Sequence, residues 1–391
     1  MANRVLIAWE FGSGLGHLAP MLQFIRGLRA KGVEPLVAVP DPVKARAVFG
    51  AEAPRLLRCV PLVRKRTARG PVYSFADILL QGGFSDAAGV CEAVEGWQAI
   101  FRAERINTVL LDYAPVAQLA AWLMELKMIT RTFVFANPPV PFPWIDSDTP
   151  ESPQLLARSE SQLLGCINQV TQQFGRKPID TLATWLHAPM RFTTGIPQTN
   201  VFDFEPEYGY LGPLGGLGML SPFEWPMSSR TRVLCYLRWM PKTPKIVAAL
   251  SSAERDIACV VLDAPVSWLE TARRAGMSAT NKVVDLEKLM TTADVVVSHG
   301  SGRVACEALL KGKPQLMIPI DLEKMLTARR METLKVGKCL AGPRAAAEVS
   351  ETLGLLTKNE TYSAAAKALV AKLRPEDWSA SLEHLVNETA G

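Results

Sequence analysis

The segment 294–307, DVVVSHGSGRVACE, constrains the fold of this chain more than any other stretch. A short apolar run, Val295 to Val297, ends in a glycine loop, and apolar residues at helical spacing begin directly after it. This order predicts a strand–loop–helix unit of a parallel sheet, with unpaired N–H groups and the positive end of a helix dipole at the loop. Such a loop favours an anion, and phosphate is the usual one in α/β proteins. Glu307, two turns into the helix, can accept hydrogen bonds from a ribose, whereas an ordinary turn with a surface carboxylate is the alternative.

Length and composition suit two globular domains. The chain has 391 residues, of which 48% are hydrophobic and 21% charged, and domains of about 150–200 residues are typical. The sequence contains no apolar run of the ~20 residues that span a bilayer, and MANRVLIAWEF is interpreted as a first strand and not as a signal peptide. The seven cysteines are scattered without a C-x-x-C pair, which favours a reduced, cytoplasmic protein without a structural metal site.

The densest positive charge lies in residues 64–69, within Arg64-Lys65-Arg66 and Arg69. The net charge of +5 is modest. The run is interpreted as a solvated loop, with a peripheral contact to an anionic membrane face as the alternative. No stretch interleaves basic and aromatic residues as a nucleic-acid surface does, so no nucleic-acid partner is expected.

Short apolar runs alternate with helical patterns in both halves of the sequence. This alternation predicts parallel βαβ units and doubly wound sheets. Strands are predicted at 4–9, 35–40, 107–112, 131–136, 231–237, 257–263, 293–298 and 314–319, and helices at 18–31 and 115–127.

Gly and Pro crowd together between the two halves, at about 195–230. We therefore expect an amino-terminal domain over 1–205, a linker over 206–230 and a carboxyl-terminal domain over 231–391. An amphipathic final helix after Pro375 is expected to pack back across.

The first predicted strand is followed by GSGLGH, residues 12–17. The third glycine of a dinucleotide-binding G-x-G-x-x-G is replaced by His17, so a nicotinamide or flavin cofactor is not favoured. A histidine at this position suits a general base, because the free side chain titrates with a pKa of about 6.5. Asp112 ends a predicted strand at the same sheet edge and is the best candidate to orient it. The alternative is a histidine that only caps or packs at the turn.

Taken together, these motifs resemble the GT-B glycosyltransferases of family 1, which include UDP-glucuronosyltransferases, plant flavonoid glucosyltransferases and bacterial macrolide glycosyltransferases. GSGLGHLAPMLQFIRGLRAKG resembles the opening loop and helix of the family, and LDYAPVAQLAAWLMELKM resembles the stretch that carries the aspartate. YGYLGPLGG resembles the interdomain segment, and residues 286–332 resemble the donor-binding signature. The resemblance covers most of the chain and is strongest at 5–35 and 283–333. It implies two facing Rossmann-like domains with an interdomain cleft.

The resemblance implies an inverting, metal-independent transfer of a sugar from a UDP- or dTDP-sugar to a hydroxyl of a small-molecule or lipid acceptor. Glycosyl transfer needs no further cofactor. His17 with Asp112 would deprotonate the acceptor, and Glu307 would hold the donor ribose. The acceptor loop is carried over to Gly14, Leu15 and Gly16, and the diphosphate site to His299, Gly300, Ser301, Gly302 and Arg303. Glu323 and Lys324 would face the donor sugar.

Four positions depart from the family pattern. His-Gly-Gly-x-Gly-Thr is here HGSGRV, residues 299–304, and the acidic-Gln pair is Glu323-Lys324. A lysine cannot accept a hydrogen bond, which suggests an unusual or acidic donor sugar. VVD at 283–285 replaces the Pro-Gln of the family, and LRW at 237–239 replaces its Gly-Ser.

Two other functions remain open. A nucleotide-sugar epimerase shares the fold but would need carboxylates around the donor sugar. A catalytically inactive GT-B protein that binds a partner is favoured by the altered donor loop and opposed by the intact His17 and Asp112. For the acceptor, NPPVPFPW at 137–144 with Trp97 and Phe84 suggests an apolar, aromatic pocket, although these residues suit a protein core equally well.

Overall fold

The computed structural model describes residues 3–12, 15–62, 70–146, 149–215, 221–225, 230–342 and 345–391. These residues form two compact units. The first consists of Met1–Thr194, Phe202–Gly218 and Pro375–Gly391, and the second of Gly195–Val201 and Met219–Arg374. The segment predicted as a linker therefore divides between the two units.

The first unit contains a six-stranded parallel sheet of order β3-β2-β1-β4-β5-β6. Successive side chains of β1 enter opposite cores, Val5 and Ile7 on one face and Leu6 and Ala8 on the other, as the two-residue repeat of a strand requires. Both faces are covered, which explains the continuous apolar runs. The strands are β1 (Val5–Trp9), β2 (Leu36–Val39), β3 (Arg55–Arg58), β4 (Thr108–Asp112), β5 (Lys127–Phe133) and β6 (Met190–Thr194).

The helices of the first unit follow its strands along the chain. They are α1 (Leu15–Ala30), α2 (Pro42–Phe49), α3 (Phe75–Leu79), α4 (Ala87–Ala103), α5 (Pro115–Leu123), α6 (Pro153–Gln173) and α7 (Ala183–Leu186). Asp41 and Ser74 cap α2 and α3 with side-chain oxygens, which satisfies amides that have no intrahelical partner.

The second unit repeats this plan with sheet order β12-β11-β10-β7-β8-β9, again parallel throughout. Its strands are β7 (Thr231–Arg238), β8 (Arg255–Leu262), β9 (Ser278–Thr280), β10 (Val295–Ser298), β11 (Gln315–Met317) and β12 (Gly337–Cys339). Its helices are α8 (Thr243–Leu250), α9 (Val266–Arg274), α10 (Leu286–Thr292), α11 (Gly302–Leu310), α12 (Leu322–Thr333), α13 (Ala345–Lys358) and α14 (Thr361–Val370).

The final helix, α15 (Pro375–Ala390), follows the second unit in sequence and packs in the first. Leu385 and Val386 are buried in the core beneath α1 and α2, and Asn3 donates a hydrogen bond to the Thr389 carbonyl at 2.9 Å. A Cβ at Gly27 of α1 would lie 2.8 Å from a methyl carbon of Val386. Glycine therefore permits the close approach of the two helices.

Two doubly wound parallel sheets confirm the predicted fold class. The eight predicted strands all exist, and seven begin within two residues of the prediction. The run 131–136 is the exception, because its strand covers Lys127–Phe133.

Candidate functional site

The structure brings His17 and Asp112 into contact. His17 lies in the first turn of α1, and Asp112 is the last residue of β4, paired in register with Trp9 of β1. His17 Nδ1 lies 3.1 Å from Asp112 Oδ2, and the two side chains are 11% and 1% exposed. Because a carboxylate can only accept, Nδ1 is the donor in this contact, and Nε2 is the ring nitrogen left for a substrate. The arrangement is that of a general base with an orienting carboxylate.

Three neighbours fix the plane of the His17 ring. Trp9 stacks on it with 4.8 Å between ring centroids and 18° between planes, and Phe133 meets it edge-on at 6.3 Å. Gly12 has a φ of +85°, and a Cβ there would lie 2.6 Å from His17 Nε2. Nε2 therefore lies beside the backbone of the first glycine loop, at a position that only glycine leaves open.

Arg131 joins this pair, and the sequence analysis missed it. Its Nη2 donates to Asp112 Oδ2 at 2.8 Å, and both side chains are 1% exposed. The guanidinium also lies 5.0 Å from the ring centroid of Phe24 in α1. Arg131 lies in the middle of β5, where strand alternation directs its side chain to the face covered by α1. The buried cluster therefore consists of a guanidinium, a carboxylate and an imidazole.

The charges of this cluster determine the protonation of Asp112. Burial alone would raise the pKa of the Asp112 carboxyl, but the Arg131 guanidinium and His17 outweigh burial and hold that pKa below its usual range. Asp112 is therefore an anion at neutral pH. One of its oxygens, Oδ2, serves both partners.

Glu10 anchors the chain just after β1. Its two carboxylate oxygens accept hydrogen bonds from the Val116 and Ala117 amides, at 2.8 and 2.9 Å. These amides belong to the first turn of α5, where an acceptor is required, and burial raises the pKa of the Glu10 carboxyl to about 8 against these two bonds. Glu10 therefore ties the segment that leads to Gly12 and His17 to the helix that follows Asp112.

A pocket opens in the first unit on the other face of the sheet from Arg131. It is lined by Phe75, Leu111, Tyr113, Ala114, Pro115, Gln118, Thr130, Thr132, Ala136, Asn137, Pro138, Phe142, Leu186 and His187. The lining is largely apolar, and His187 Nε2 is buried there without a partner among the described residues.

Part of the predicted aromatic pocket is core. Trp97 and Phe84 are fully buried in the hydrophobic cluster of the first unit and do not line this pocket. Phe142 and Asn137, from the predicted stretch 137–144, do line it. Of the two alternatives that the sequence leaves open, a protein core is therefore the one that holds for Trp97 and Phe84.

In the second unit, His299 follows β10 and uses both ring nitrogens within the protein. Nδ1 lies 2.8 Å from the Ile318 carbonyl, and Nε2 accepts from the Arg238 amide at 3.0 Å. These partners require a neutral ring protonated at Nδ1, and burial lowers the pKa of His299. In this arrangement the ring ties the ends of three strands together and has no N–H to offer a phosphate.

The amino end of α11 is open to an anion. Its N-cap, Ser301, makes no capping hydrogen bond with its side chain, so the first amides of the helix lack that partner. The Gly300 amide instead donates to Ser298 Oγ at 3.0 Å, and Gly300 has a φ of +79°. Gly302 begins the helix. A helix of this kind stabilises negative charge at its start.

Arg303 and Glu307, one turn apart on α11, form an ion pair. Arg303 Nε donates to Glu307 Oε1 at 2.8 Å, and Glu307 Oε2 is buried with no hydrogen-bond partner among the described residues. The predicted diphosphate residue and the predicted ribose residue are therefore in direct contact.

Glu323 and Lys324 lie in the first turn of α12. Lys324 Nζ pairs with Asp321 Oδ2 at 2.7 Å and lies 3.9 Å from Glu323 Oε2. The Lys324 carbonyl is the nearest atom to a Cβ that would be added at Gly300, at 3.1 Å. The structure therefore places this pair beside the second glycine loop.

Some predicted residues fall outside the description. Gly14, the side chain of Leu15 and the basic run 64–69 lie beyond the described residues, whereas Gly16 lies in α1 with nothing within 4 Å of an added Cβ. Among the described residues, no cluster of three or more metal-binding side chains and no helix able to span a membrane is found.

The two sheets, with His17 at the start of α1 in the first unit and a glycine loop before α11 in the second, define a GT-B fold. No family model and no curated protein sequence matches the chain.

Solved structures match it closely in fold. Spinosyn rhamnosyltransferase SpnG has a TM-score of 0.69 at 16% identity, with 99% of each chain covered. The glycotransferase of kitacinnamycin scores 0.67 at 16% identity, over 99% of this chain and 98% of that one. The glycosyltransferase SnogD from Streptomyces nogalater scores 0.65 at 18% identity, over 97% and 96%. SpnG has been solved with thymidine diphosphate and with the spinosyn aglycone.

Proposed function

We propose that this protein is a glycosyltransferase that moves a sugar from a nucleoside diphosphate donor to a hydroxyl of a small acceptor. The 3.1 Å contact between His17 Nδ1 and Asp112 Oδ2 carries the proposal, because it fixes the ring and leaves Nε2 for the acceptor at the edge of the first sheet. The matching fold of natural-product glycosyltransferases supports it.

The proposed reaction begins with proton transfer from the acceptor hydroxyl to His17 Nε2. The oxygen then attacks the anomeric carbon on the face opposite the diphosphate, so that the C–O bond to phosphate breaks and the configuration inverts. The imidazolium formed is stabilised by Asp112. General base catalysis of this kind contributes about 10²–10⁴ in rate.

The leaving diphosphate is assigned to the second unit. The open amides at the start of α11 and the guanidinium of Arg303 supply positive charge there. His299 is assigned a structural role at this loop, because its ring nitrogens are already bonded to Ile318 and Arg238. The proposal needs no metal, since these groups can neutralise the developing charge.

The donor is proposed to be a UDP- or dTDP-sugar, with Glu307 on its ribose. SpnG bound to thymidine diphosphate supports a nucleoside diphosphate. The acceptor is proposed to be apolar or lipid-like, because the pocket that Phe142 and His187 help to line is mainly apolar. SpnG also binds an aglycone.

Turnover of nucleotide sugars by wild type and His17→Ala tests this function. UDP- and dTDP-sugars are incubated with a panel of apolar hydroxyl acceptors, and release of the diphosphate is measured. We expect His17→Ala to lower kcat by about 10²–10⁴ with unchanged nucleotide affinity. His384→Ala changes an exposed histidine of the same unit and should keep wild-type turnover. Equal turnover of the two variants, or no turnover by wild type, would refute the proposal.

A further inference from the structure

The Arg303–Glu307 pair connects two parts of the proposed donor site. The Arg303 and Glu307 side chains are 20% and 11% exposed, so the pair is far better shielded than an ordinary surface pair on a helix. Arg303 uses its Nε for Glu307 Oε1. Its terminal nitrogens Nη1 and Nη2 have no bond to another described residue, and they extend the fork of donors that suits a phosphate.

Tyr236 shows how closely the two charges share their surroundings. It lies on β7, in register with Ser298 at the end of β10. Burial raises the pKa of the Tyr236 phenol, the Arg303 guanidinium opposes that shift, and the Glu307 carboxylate adds to it. The Tyr236 phenol therefore lies near both Arg303 and Glu307, and β7 lies beside the pair.

The other cations at this edge have their own carboxylates. Lys324 pairs with Asp321 at 2.7 Å, and Arg238 Nε lies 3.9 Å from Asp263. Neither contacts Glu307. Of the cations at this edge, Arg303 is the one that contacts Glu307 within the described residues. Arg303 lies in the first turn of α11, and Glu307 lies one turn further along the same helix.

We propose that Arg303 is the residue that couples diphosphate binding to ribose binding, holding Glu307 Oε1 through Nε so that Oε2 faces the ribose while Nη1 and Nη2 bind the diphosphate. This inference rests on the proposed function of the second unit as the donor site. A buried carboxylate oxygen without a partner is costly, and a ribose hydroxyl supplies the donor that Oε2 lacks. Charge-assisted hydrogen bonds on both ends make Arg303 a positioning residue for one substrate group and a ligand for another.

A double-mutant cycle tests the coupling with two pairs of ligands. Dissociation constants of uridine, UDP, thymidine and dTDP are measured by ligand-observed NMR for wild type, Arg303→Gln, Glu307→Gln and the double variant. The nucleosides lack phosphate, so any effect of Arg303 on them must act through Glu307. Arg274→Gln is the matched control, since this exposed arginine ends α9, which packs beside the edge strand β9.

Arg303→Gln is expected to weaken nucleoside binding about tenfold and diphosphate binding about a hundredfold. In the Glu307→Gln background, the same change should leave nucleoside affinity within about twofold and still weaken the diphosphate about tenfold. Arg274→Gln should change neither. Thermal unfolding of each variant verifies folding, and Arg303→Lys, which keeps the charge but not the fork, replaces Arg303→Gln if that variant is unfolded.

The outcomes separate the coupling from the proposed function. If wild type binds no nucleoside diphosphate, the donor-site assignment fails together with the inference. If Arg303→Gln weakens only the diphosphates, or if its nucleoside effect persists without Glu307, the donor site stands and the coupling is wrong. Wild type that binds a diphosphate but neither nucleoside also overturns the coupling, because a preset Glu307 predicts nucleoside binding.

Discussion

Arg131 and Asp112 illustrate, at the scale of single residues, how a buried charge is tolerated. Removing either ion from water costs several kcal/mol, and only a close, hydrogen-bonded partner offsets that cost. The 2.8 Å contact between them supplies such a partner. The same carboxylate oxygen faces His17, so the charge balance of the proposed base depends on a residue that does not touch it.

Asp112→Asn should therefore destabilise the protein by about 3–5 kcal/mol, because it leaves the Arg131 guanidinium buried without an anion. Urea unfolding measures this loss. The double variant Asp112→Asn/Arg131→Met should recover a large part of it, since no unpaired charge remains.

Glu125→Gln provides the matched control for Asp112→Asn. It breaks an exposed pair with Arg176 that has an equally short distance of 2.7 Å, and exposed pairs contribute about 0–1 kcal/mol. A loss for Asp112→Asn no larger than for Glu125→Gln would show that the buried pair is not needed for stability.

His187 predicts a pH dependence of stability. Burial and the charge of Arg191 lower the pKa of His187 to about 4, although a hydrogen bond to the backbone of Pro138 acts in the opposite direction. In the unfolded chain the pKa is about 6.5, so the unfolded state binds the proton first as the pH falls. The contribution of His187 to the free energy of unfolding is therefore complete above about pH 6.5 and is lost progressively as the pH falls toward about 4.

Urea midpoints between pH 7.5 and 4.5 measure this effect. His187→Asn, which keeps a short polar side chain, should lose less stability over this range than wild type does. His384→Asn should follow wild type, because His384 is exposed. Parallel profiles for wild type and His187→Asn would contradict the assigned titration.

The sequence was sufficient to predict His17 and Asp112 as partners, because each follows an apolar run that ends at the same sheet edge. It did not reveal Arg131. The apolar run was placed at 131–136, so Arg131 looked like the polar start of a strand, whereas the strand begins four residues earlier. The hydrogen bonds of the His299 ring were also unpredictable, because they depend on how β7 and β11 pair with β10.

At the scale of elements, the loop between β1 and α1 sets the position of the base. Gly12 combines a positive φ with contact to the His17 ring. Gly32, two residues beyond the end of α1, has a similar φ of +78° but nothing within 4 Å of an added Cβ. The two glycines therefore separate backbone strain from the steric effect on His17.

Gly12→Ala is expected to lower kcat at least about tenfold, because a Cβ 2.6 Å from Nε2 displaces the ring. Gly32→Ala should cost a similar ~1–2 kcal/mol of backbone strain with unchanged kcat. Turnover and urea unfolding of both variants test this expectation. Equal kcat values would mean that the ring is not held where the proposed mechanism needs it.

The elements that sequence reasoning missed lie at or near sheet edges. β3 begins and ends with exposed arginines, and β9 and β12 have only three residues each. Such strands have no continuous apolar run, because each is short or begins and ends with exposed polar residues. β6, MRFTT, is polar at three of its five positions. The central strands are buried on both faces and therefore have continuous apolar runs, which make them predictable from the sequence.

At the scale of the whole molecule, the chain crosses from the second unit back to the first. α15 follows 156 residues of the second unit, Met219–Arg374, and buries Leu385 in the core of the first. Stability of the first unit therefore depends on the last residues of the chain. An amphipathic final helix was predictable from its spacing, whereas its place in the core needed the structure.

A pair of core variants tests this organisation. Leu385 of α15 and Leu353 of α13 are each fully buried, in the cores of the first and second units respectively. Leucine-to-alanine changes at such positions cost about 2–5 kcal/mol. We expect Leu385→Ala to increase hydrogen exchange in α1 and β1, and Leu353→Ala to increase it in α8 and β7, as measured by mass spectrometry. UDP or dTDP should slow exchange in the second unit in either variant. Faster exchange at α8 in Leu385→Ala, with exchange at α1 unchanged, would show that α15 packs in the core of the second unit. That result would contradict the assignment of the chain terminus to the first unit.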